Sequence, residues 1–502
     1  MKKYDIENIE PKEVLYWFKE ICKIPHGSYH EEAISKWLAA KCKELGCHEV
    51  KVYPSGMILA KQKATAGCEN KNVVLLQAHM DMVLAKTPDC PKDLTKDPIT
   101  PYYDSEKDWI RAEKTSLGAD DGMGMAEMLA IMENKDGKIQ HGPIEYLFST
   151  NEEDKPGECY KTDNFQATDS DATYYINLDG TTTDCIVYGS AGCITACYDN
   201  EVEFIEKDMQ FPTFRINLTG FKGGHSGIEI HRPHINAIIF LAETLLSFAK
   251  TYKTTVCLSH LHGGPINNAI PVFAHALVNI DEKHAKDLVA WFQKALVVAK
   301  QVAQGEEDAV KVEVTRAEEQ ATQCLGVHDT IRTLVAIACC PNKVFTSKKD
   351  NTCMFSSSNL GFVDLDSRTK RFKADFKIRG FIDDDVTRTL LRINYYMENF
   401  HWSNYTVQGL CKSFINDVNT NASAQTWIKA YSTARGGKEP RTALCPGGLE
   451  VTDLCLKKPE ITPNTISIAA TVFEEHSPSE AVPIHDLKIF WATLKEFLRI
   501  VL

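Results

Sequence analysis

Apolar positions change rhythm twice along the chain. From Val14 to Ile24 they recur at helical spacing and stop at Pro25, and a second amphipathic helix is expected from about Glu31 to Leu45. Short unbroken apolar runs follow at Val73 to Leu76, Ile144 to Phe148 and Tyr174 to Leu178, with a helical stretch, Met123 to Met132, between the first two. Runs of four or five apolar residues separated by helices predict strands buried on both faces. That is the signature of an α/β domain with a largely parallel sheet.

The middle of the chain reads differently. Strands are expected at Phe214 to Leu218, Thr255 to Ser259, Phe273 to Ile280 and Val310 to Val314, and helices at His234 to Lys250 and Asp287 to Gln304. Strand-helix-strand-strand-helix-strand is the split βαβ plan, and Lys373 to Phe381 followed by Val386 to Phe400 reads as a partial repeat of it. The last ninety or so residues return to α/β character, with an apolar strand at Ile466 to Phe473 and a terminal helix. The expected organisation is an α/β domain, 1–190 and 413–502, interrupted by an inserted α+β domain, 191–412.

Composition narrows the function. At 502 residues the chain exceeds one simple core, and 43% hydrophobic with 25% charged residues is ordinary for a soluble globular protein. A formal net charge of −12 disfavours a nucleic-acid partner. No run of eighteen apolar residues exists; the best, Ala237 to Ala249, is broken by Glu243, so no membrane partner is expected. The N-terminus lacks an apolar signal segment, and the seventeen cysteines include no C-x-x-C. They read as reduced, mostly buried thiols of a cytoplasmic protein, with Cys339 and Cys340 in the core.

The chemistry sits where the three early strands end. One runs into His79-Met80-Asp81, the next into Glu152-Glu153, the third directly into Asp179. In open α/β sheets the carboxyl ends of strands are where ligands and catalytic groups gather. His79 and Asp81 are two apart and point the same way in an extended chain, which suits a metal-binding imidazole and the carboxylate that orients it. Glu152 and Glu153 are adjacent and point differently, as one general base and one ligand would. Asp120 and Asp121 precede a helix, where a carboxylate can equally be a cap.

Two divalent metals would use these groups economically. Asp120 bridges, His79 and Asp179 complete one site, and Glu153 with one further histidine completes the other. A shared water makes each ion four-coordinate with nitrogen and oxygen ligands, as zinc prefers. Three carboxylates against two Zn²⁺ leave about +1, which a bridging hydroxide neutralises. The missing histidine should lie in the last segment: His476 is the better candidate, His485 the fallback.

In order and spacing, His79-Met80-Asp81, Gly118-Ala119-Asp120, Glu152-Glu153, Asp179 and His476-Ser477-Pro478 resemble the co-catalytic di-zinc peptidases related to carnosinase, aminoacylase and carboxypeptidase G. Within that group the chain is most similar to the aminoacyl-histidine or cytosolic non-specific dipeptidases. Ile24-Pro25-His26-Gly27-Ser28-Tyr29-His30-Glu31-Glu32, Lys222-Gly223-Gly224-His225-Ser226-Gly227, Asn268-Ala269-Ile270-Pro271 and Ser357-Ser358-Asn359-Leu360-Gly361 resemble their motifs. The resemblance covers essentially the whole chain, and in these enzymes the inserted region is a lid and dimerisation domain, so a homodimer is implied.

The resemblance also implies roles. Asp120 bridges two zinc ions, with Mn or Co as substitutes; His79 and Asp179 hold one, Glu153 and His476 the other. Glu152 is the general base, and Asp81 orients His79. His225 helps polarise the scissile carbonyl of a dipeptide bound in the partner subunit. Arg379 pairs with the substrate carboxylate, Gly448 offers its N–H to the same group, and Asn268 and Asn359 line the pocket. Read from the residues alone, His225 could instead cap the helix expected near His234, and Arg379 could be an ordinary ion pair.

Four positions depart from the group's pattern. Asp121 stands where the bacterial enzymes usually have Asn. Asp154-Lys155-Pro156 intervenes before Gly157, and Cys445-Pro446-Gly447-Gly448-Leu449-Glu450 replaces a His-Ala-Gly-Leu-Glu motif. Asp179-Gly180-Thr181 lacks the usual acidic residue that follows. These departures bear on substrate preference. Two function classes are set against each other: metal-dependent hydrolysis of dipeptides, with a related amidohydrolase or N-acyl amino acid deacylase as its near neighbour, and a non-catalytic binding relative.

Overall fold

The computed structural model describes residues 3–153, 164–208, 210–264, 266–304, 307, 309–347 and 354–501. The departure at Asp154-Lys155-Pro156 lies outside these residues. Two compact units emerge: Met1–Ser190 with Phe414–Cys445 and Leu449–Leu502, and Ala191–Ser413 with Pro446–Gly448.

The first unit is built on a mixed nine-stranded sheet. Its strands run Glu49–Val52, Ile58–Gln62, Ile144–Ser149, Val74–His79, Tyr174–Asn177, Thr465–Ser467, Cys185–Ser190 and Phe414–Ile415, with Arg441–Cys445 also paired to Cys185–Ser190. The centre is parallel: Val74–His79 lies between Ile144–Ser149 and Tyr174–Asn177, with His79 opposite Ser149 and Gln77 opposite Asn177. The two six-residue strands are buried along their whole length. Leu76, Ala78, Tyr146 and Phe148 face a core shared with the helices Lys12–Cys22, Ala119–Glu133 and Ile484–Ile500. Leu75 and Leu147 face a smaller core on the other side. Alternate residues of one strand thus fill two cores, which is why the sequence shows unbroken apolar runs rather than alternation.

The expected eight-residue strand at Ile466 to Phe473 shrinks to Thr465–Ser467; beyond it Phe473 makes only an isolated bridge to Ala481. Ile468, Ala469 and Ala470 are buried without joining a ladder, so their apolar character records burial and not strand pairing.

The second unit contains two split βαβ halves in one antiparallel sheet. The first half is Thr213–Thr219, helix Ala237–Tyr252, Val256–Gly263, Ala274–Ile280, helix Ala285–Val302 and Lys311–Arg316. The second is Gly192–Glu201, helix Val327–Ala338, Met354–Asp366, Arg371–Gly380, helix Asp383–Glu398 and Tyr405–Cys411. The first half is inserted between the first strand and first helix of the second, so the expected partial repeat is a complete one. The halves join where Val256–Gly263 pairs with Met354–Asp366. Isoleucine, leucine, valine and phenylalanine residues of both halves and their helices share one core.

Among the described residues, ten cysteines are buried free thiols. Cys340 is among them, but Cys339 is exposed and is not a core residue. Cys411 departs from the expectation of reduced thiols: it is disulfide-bonded. Among the described residues no helix is long and apolar enough to cross a membrane.

Candidate active site

The parallel strands of the first unit deliver His79, Glu152, Glu153 and Asp179 to one edge of the sheet, because each follows directly on, or within four residues of, a strand end. Asp120 arrives from the start of helix Ala119–Glu133, where its backbone is still extended (φ −86°, ψ 105°), and the Asp120–Asp121 peptide is cis. His476 comes from the segment before Ala481–Pro483.

Asp120 lies between two histidines. Its Oδ1 is 3.2 Å from His79 Nε2 and its Oδ2 is 3.2 Å from His476 Nε2. His476 Nε2 is also 2.8 Å from Glu153 Oε2. Two groups therefore converge on one carboxylate: His79, Asp120 and Asp179, and Asp120, Glu153 and His476, the ligand atoms of each lying within 4.8 Å of one another. His485 is elsewhere, on the terminal helix beside Arg435.

The electrostatics show what the cluster lacks. Burial and the Asp120 charge push Asp179 well above the ordinary carboxylate range and raise Glu153. Asp120 itself is held low: burial opposes its ionisation, but His476 and His79 outweigh it. Both imidazoles are raised; burial alone would lower them, and their neighbouring carboxylates prevail. Glu153 Oε1 is buried with no hydrogen-bond partner. Glu475, lining a cavity with Asp120, Asp179 and Thr181, is pushed up to about 7 by burial and by Asp120. A set of buried carboxylates short of positive charge, with two imidazoles at ligand spacing, fits a pair of divalent cations of the zinc type.

Around this set the packing is polar and specific. Asp81 is buried; its carboxylate accepts the amides of Glu152 (2.9 Å) and Glu153 (3.1 Å) and the Ser28 hydroxyl (2.8 Å). Its backbone carbonyl is 2.9 Å from His79 Nδ1 and Oδ1 is 3.6 Å away, so one residue sets the imidazole and the loop carrying both glutamates. Burial opposes its charge, yet the His79 partner, these amides and the hydroxyl hold Asp81 well below the usual range. Asp121 turns inward and accepts the His79 amide at 3.2 Å, so it binds backbone and joins neither ligand group.

Three further residues carry no signal in a reading by periodicity. Glu480 accepts the amides of Leu117, Gly118, Ala119 and Asp120 at 2.6, 3.0, 2.8 and 3.3 Å, fixing the turn that presents Asp120. Glu450, fully buried, accepts from Gln77 Nε2 (2.8 Å) and Ser149 Oγ (2.5 Å), tying the strands that end in His79 and lead to Glu152. Ser28 explains the N-terminal motif: Ser28 anchors Asp81, while Glu31 accepts the amide of Asn151. The only sequence trace of Glu480 is its place four residues after His476.

In the second unit, Arg379 is buried on Arg371–Gly380; its Nη2 lies 3.0 Å from His225 Nε2 and its Nε 3.4 Å from Ser226 Oγ. Among the described residues no carboxylate pairs with it, so the ordinary ion pair is absent. His225 Nδ1 accepts the Ile228 amide at 3.2 Å, and Asn236 caps the helix beginning at Ala237, so His225 closes its own turn. Asn359 is buried and donates to the carbonyls of Asn267 and Ala269; Asn268 is exposed and its carbonyl accepts the Ser226 amide. Gly448 is partly exposed, beside Gly447, whose carbonyl accepts the Ala191 amide.

Known proteins share this architecture. A family profile described as a peptidase dimerisation domain matches residues 216–305. The chain is 31% identical over 503 residues to the cytosol non-specific dipeptidase of Escherichia coli (strain K12), covering 99% of each chain. The crystal structure of the aminoacylhistidine dipeptidase from Vibrio alginolyticus matches with a TM-score of 0.79 at 28% identity, covering 99% of this chain and 98% of that one. A di-peptidase of Saccharomyces cerevisiae, at 15% identity and a TM-score of 0.53 over 98% of this chain and 96% of its own, shares the fold. This chain, with its candidate ligand clusters at the carboxyl edge of the sheet, belongs to the M20 family of metallopeptidases.

Proposed function

We propose that the protein is a two-metal dipeptidase. The observation that carries this is the position of Asp120, with one carboxylate oxygen 3.2 Å from His79 Nε2 and the other 3.2 Å from His476 Nε2. His79 and Asp179 would hold one ion, Glu153 and His476 the second, and Asp120 both; zinc is the proposed metal, with Mn or Co as substitutes. Bound there, the ions supply Lewis acidity to a peptide carbonyl and acidify water towards neutrality.

The protein groups do the rest. Glu152, whose charge Asp179 senses, takes the proton from the attacking water and returns it to the leaving amine. Asp81 orients His79. Arg379, buried without a carboxylate partner among the described residues, receives the substrate's free carboxylate, aided by the Gly448 amide. His225 stabilises the developing oxyanion of a dipeptide bound in the partner subunit, and Asn268 and Asn359 line the pocket. The names of the Escherichia coli and Vibrio alginolyticus relatives support dipeptides as substrates, Xaa-His among them. The dimerisation-domain match supports a homodimer through the inserted unit, and the cytosol relative supports a cytoplasmic setting.

A panel of free dipeptides, including Xaa-His and β-alanyl-histidine, together with N-acetyl amino acids tests this reading. Metal-loaded protein should cleave free-amine dipeptides and lose that activity on chelation. Cleavage of the acetylated compounds alone would make it a deacylase instead, and no turnover of any would favour a binding relative.

A further inference from the structure

Three histidines on the second unit's sheet take no part in the chemistry above. His260 and His262 are two apart on Val256–Gly263 and share a face, opposite to Leu261 in the core. His275, on Ala274–Ile280, is the direct cross-strand partner of His262, and Asp364, on Met354–Asp366, is its partner on the other side. The ring centroids form a triangle: 5.1 Å from His262 to His275, 5.2 Å from His260 to His275 and 6.4 Å from His260 to His262. All three are half-buried.

Two distances give the cluster its character. His260 Nε2 and His275 Nε2 lie 3.2 Å apart. Two imidazole nitrogens that close either share one proton or turn both lone pairs to one cation. Nitrogens each bound to zinc at 2.0–2.1 Å with a tetrahedral angle are about 3.3 Å apart, so the pair is already at ligand spacing. His262 Nδ1 is 3.0 Å from Asp364 Oδ1, which places the N–H on Nδ1 and leaves the Nε2 lone pair for a ligand. An imidazole steadied by a carboxylate on its far nitrogen is the usual support of a metal-binding histidine. The His262 ring packs against His275 at 5.1 Å between centroids, and its Nε2 must close on the pair while Nδ1 stays on Asp364.

The surroundings of His275 and His260 favour neutral rings. Burial, then the neighbouring His260 and His262, press His275 down to about 4, and burial lowers His260, with His262 and Arg368 adding to it against Asp364 and Asp366. Metal binding requires that unprotonated state. A lone hydrogen bond between His260 and His275 would account for one contact. It gives no role to the carboxylate set behind the third ring.

We propose that His260, His262 and His275, with Asp364 behind His262, form a metal site separate from the Asp120 cluster, taking one divalent ion of the zinc, copper or nickel class. Imidazole donors select these over magnesium or calcium. Three nitrogens leave a fourth position for water. The ion braces the seam between the sheet's halves, since His260, His262 and His275 belong to one half and Asp364 to the other.

Zinc is the probe. Full-length metal-loaded protein is equilibrated with micromolar Zn²⁺, and bound zinc per chain is measured for wild type, His260→Gln, His275→Gln and Asp364→Asn. Wild type should bind one zinc more than either histidine variant, and Asp364→Asn should bind the extra ion about 10- to 100-fold more weakly. Equal stoichiometry in wild type and both histidine variants overturns the proposal. Should the variants fold poorly, imidazole nitrogen NMR of wild type decides it: zinc must shift His260, His262 and His275 together, and their invariance overturns it equally.

Discussion

The two units are electrostatically incomplete in opposite senses. Around Asp120, buried carboxylates crowd together and several are driven above their ordinary range, a set short of positive charge. Near His225, whose amide Glu229 accepts at 3.0 Å, the buried Arg379 has a histidine and a serine for partners but, among the described residues, no carboxylate of its own, a guanidinium short of negative charge. Their supports differ too. In the first unit separate buried acids, Asp81, Glu480 and Glu450, fix the segments that carry the candidate ligands. In the second, Arg379 stands on a paired strand and His225 closes a short turn of its own. Cleavage of a small zwitterion needs both kinds of set: under the proposed function the first would hold the reaction and the second the substrate's charge.

Four perturbations sharpen that contrast. The largest effect should come from Glu152→Gln, which removes the proposed base but no ligand: turnover should fall about 10²- to 10⁴-fold while metal content, measured on the same sample, stays the same. Near-normal turnover would remove Glu152 from the role. Next, Arg379→Ala should lower kcat/KM for a free dipeptide by about 30-fold or more, mainly through KM. The same variant should treat a dipeptide amide almost as wild type does; equal losses on both substrates would mean that Arg379 does not read the carboxylate.

Asp81→Asn should weaken metal binding about 10- to 100-fold in a chelator competition, because the His79 ring and the amides of Glu152 and Glu153 lose a common anchor. The smallest effect concerns pH. In the metal-free chain His79, His476 and Glu153 are all raised, so near neutrality the cluster holds protons that a cation must displace. Loading should release protons, and apparent affinity should rise with pH by up to about tenfold per unit for each proton displaced. Calorimetry in two buffers of different ionisation enthalpy measures the release, and a pH-independent affinity would contradict it.

The legible parts of the sequence were those in which chemistry abuts periodicity. His79, Glu153 and Asp179 follow directly on, or close behind, apolar runs, so their place at the sheet edge could be inferred from the runs alone. Asp120 could not be told from a helix cap by pattern, because it does stand at a helix start; its extended backbone distinguishes it. The roles of Ser28, Glu450 and Glu480 were illegible, although the first two stand in motifs, because their partners lie far away in sequence: Ser28 bonds a residue 53 positions on and Glu480 the turn some 360 positions back. Local pattern holds no information about such pairings. The second half of the inserted unit was seen only in part for a related reason, since the whole first half separates its opening strand from its first helix.

The central claim is that one carboxylate, Asp120, serves two ions. Counting tightly held metal per chain after dialysis, with dipeptide turnover measured on the same samples, tests it most directly. The account predicts two ions in the Asp120 cluster of the active protein, none after Asp120→Ala and one after His476→Ala; the His275→Gln background keeps any ion at the second unit's histidines out of the count. Two ions still bound after Asp120→Ala, with turnover intact, would contradict it.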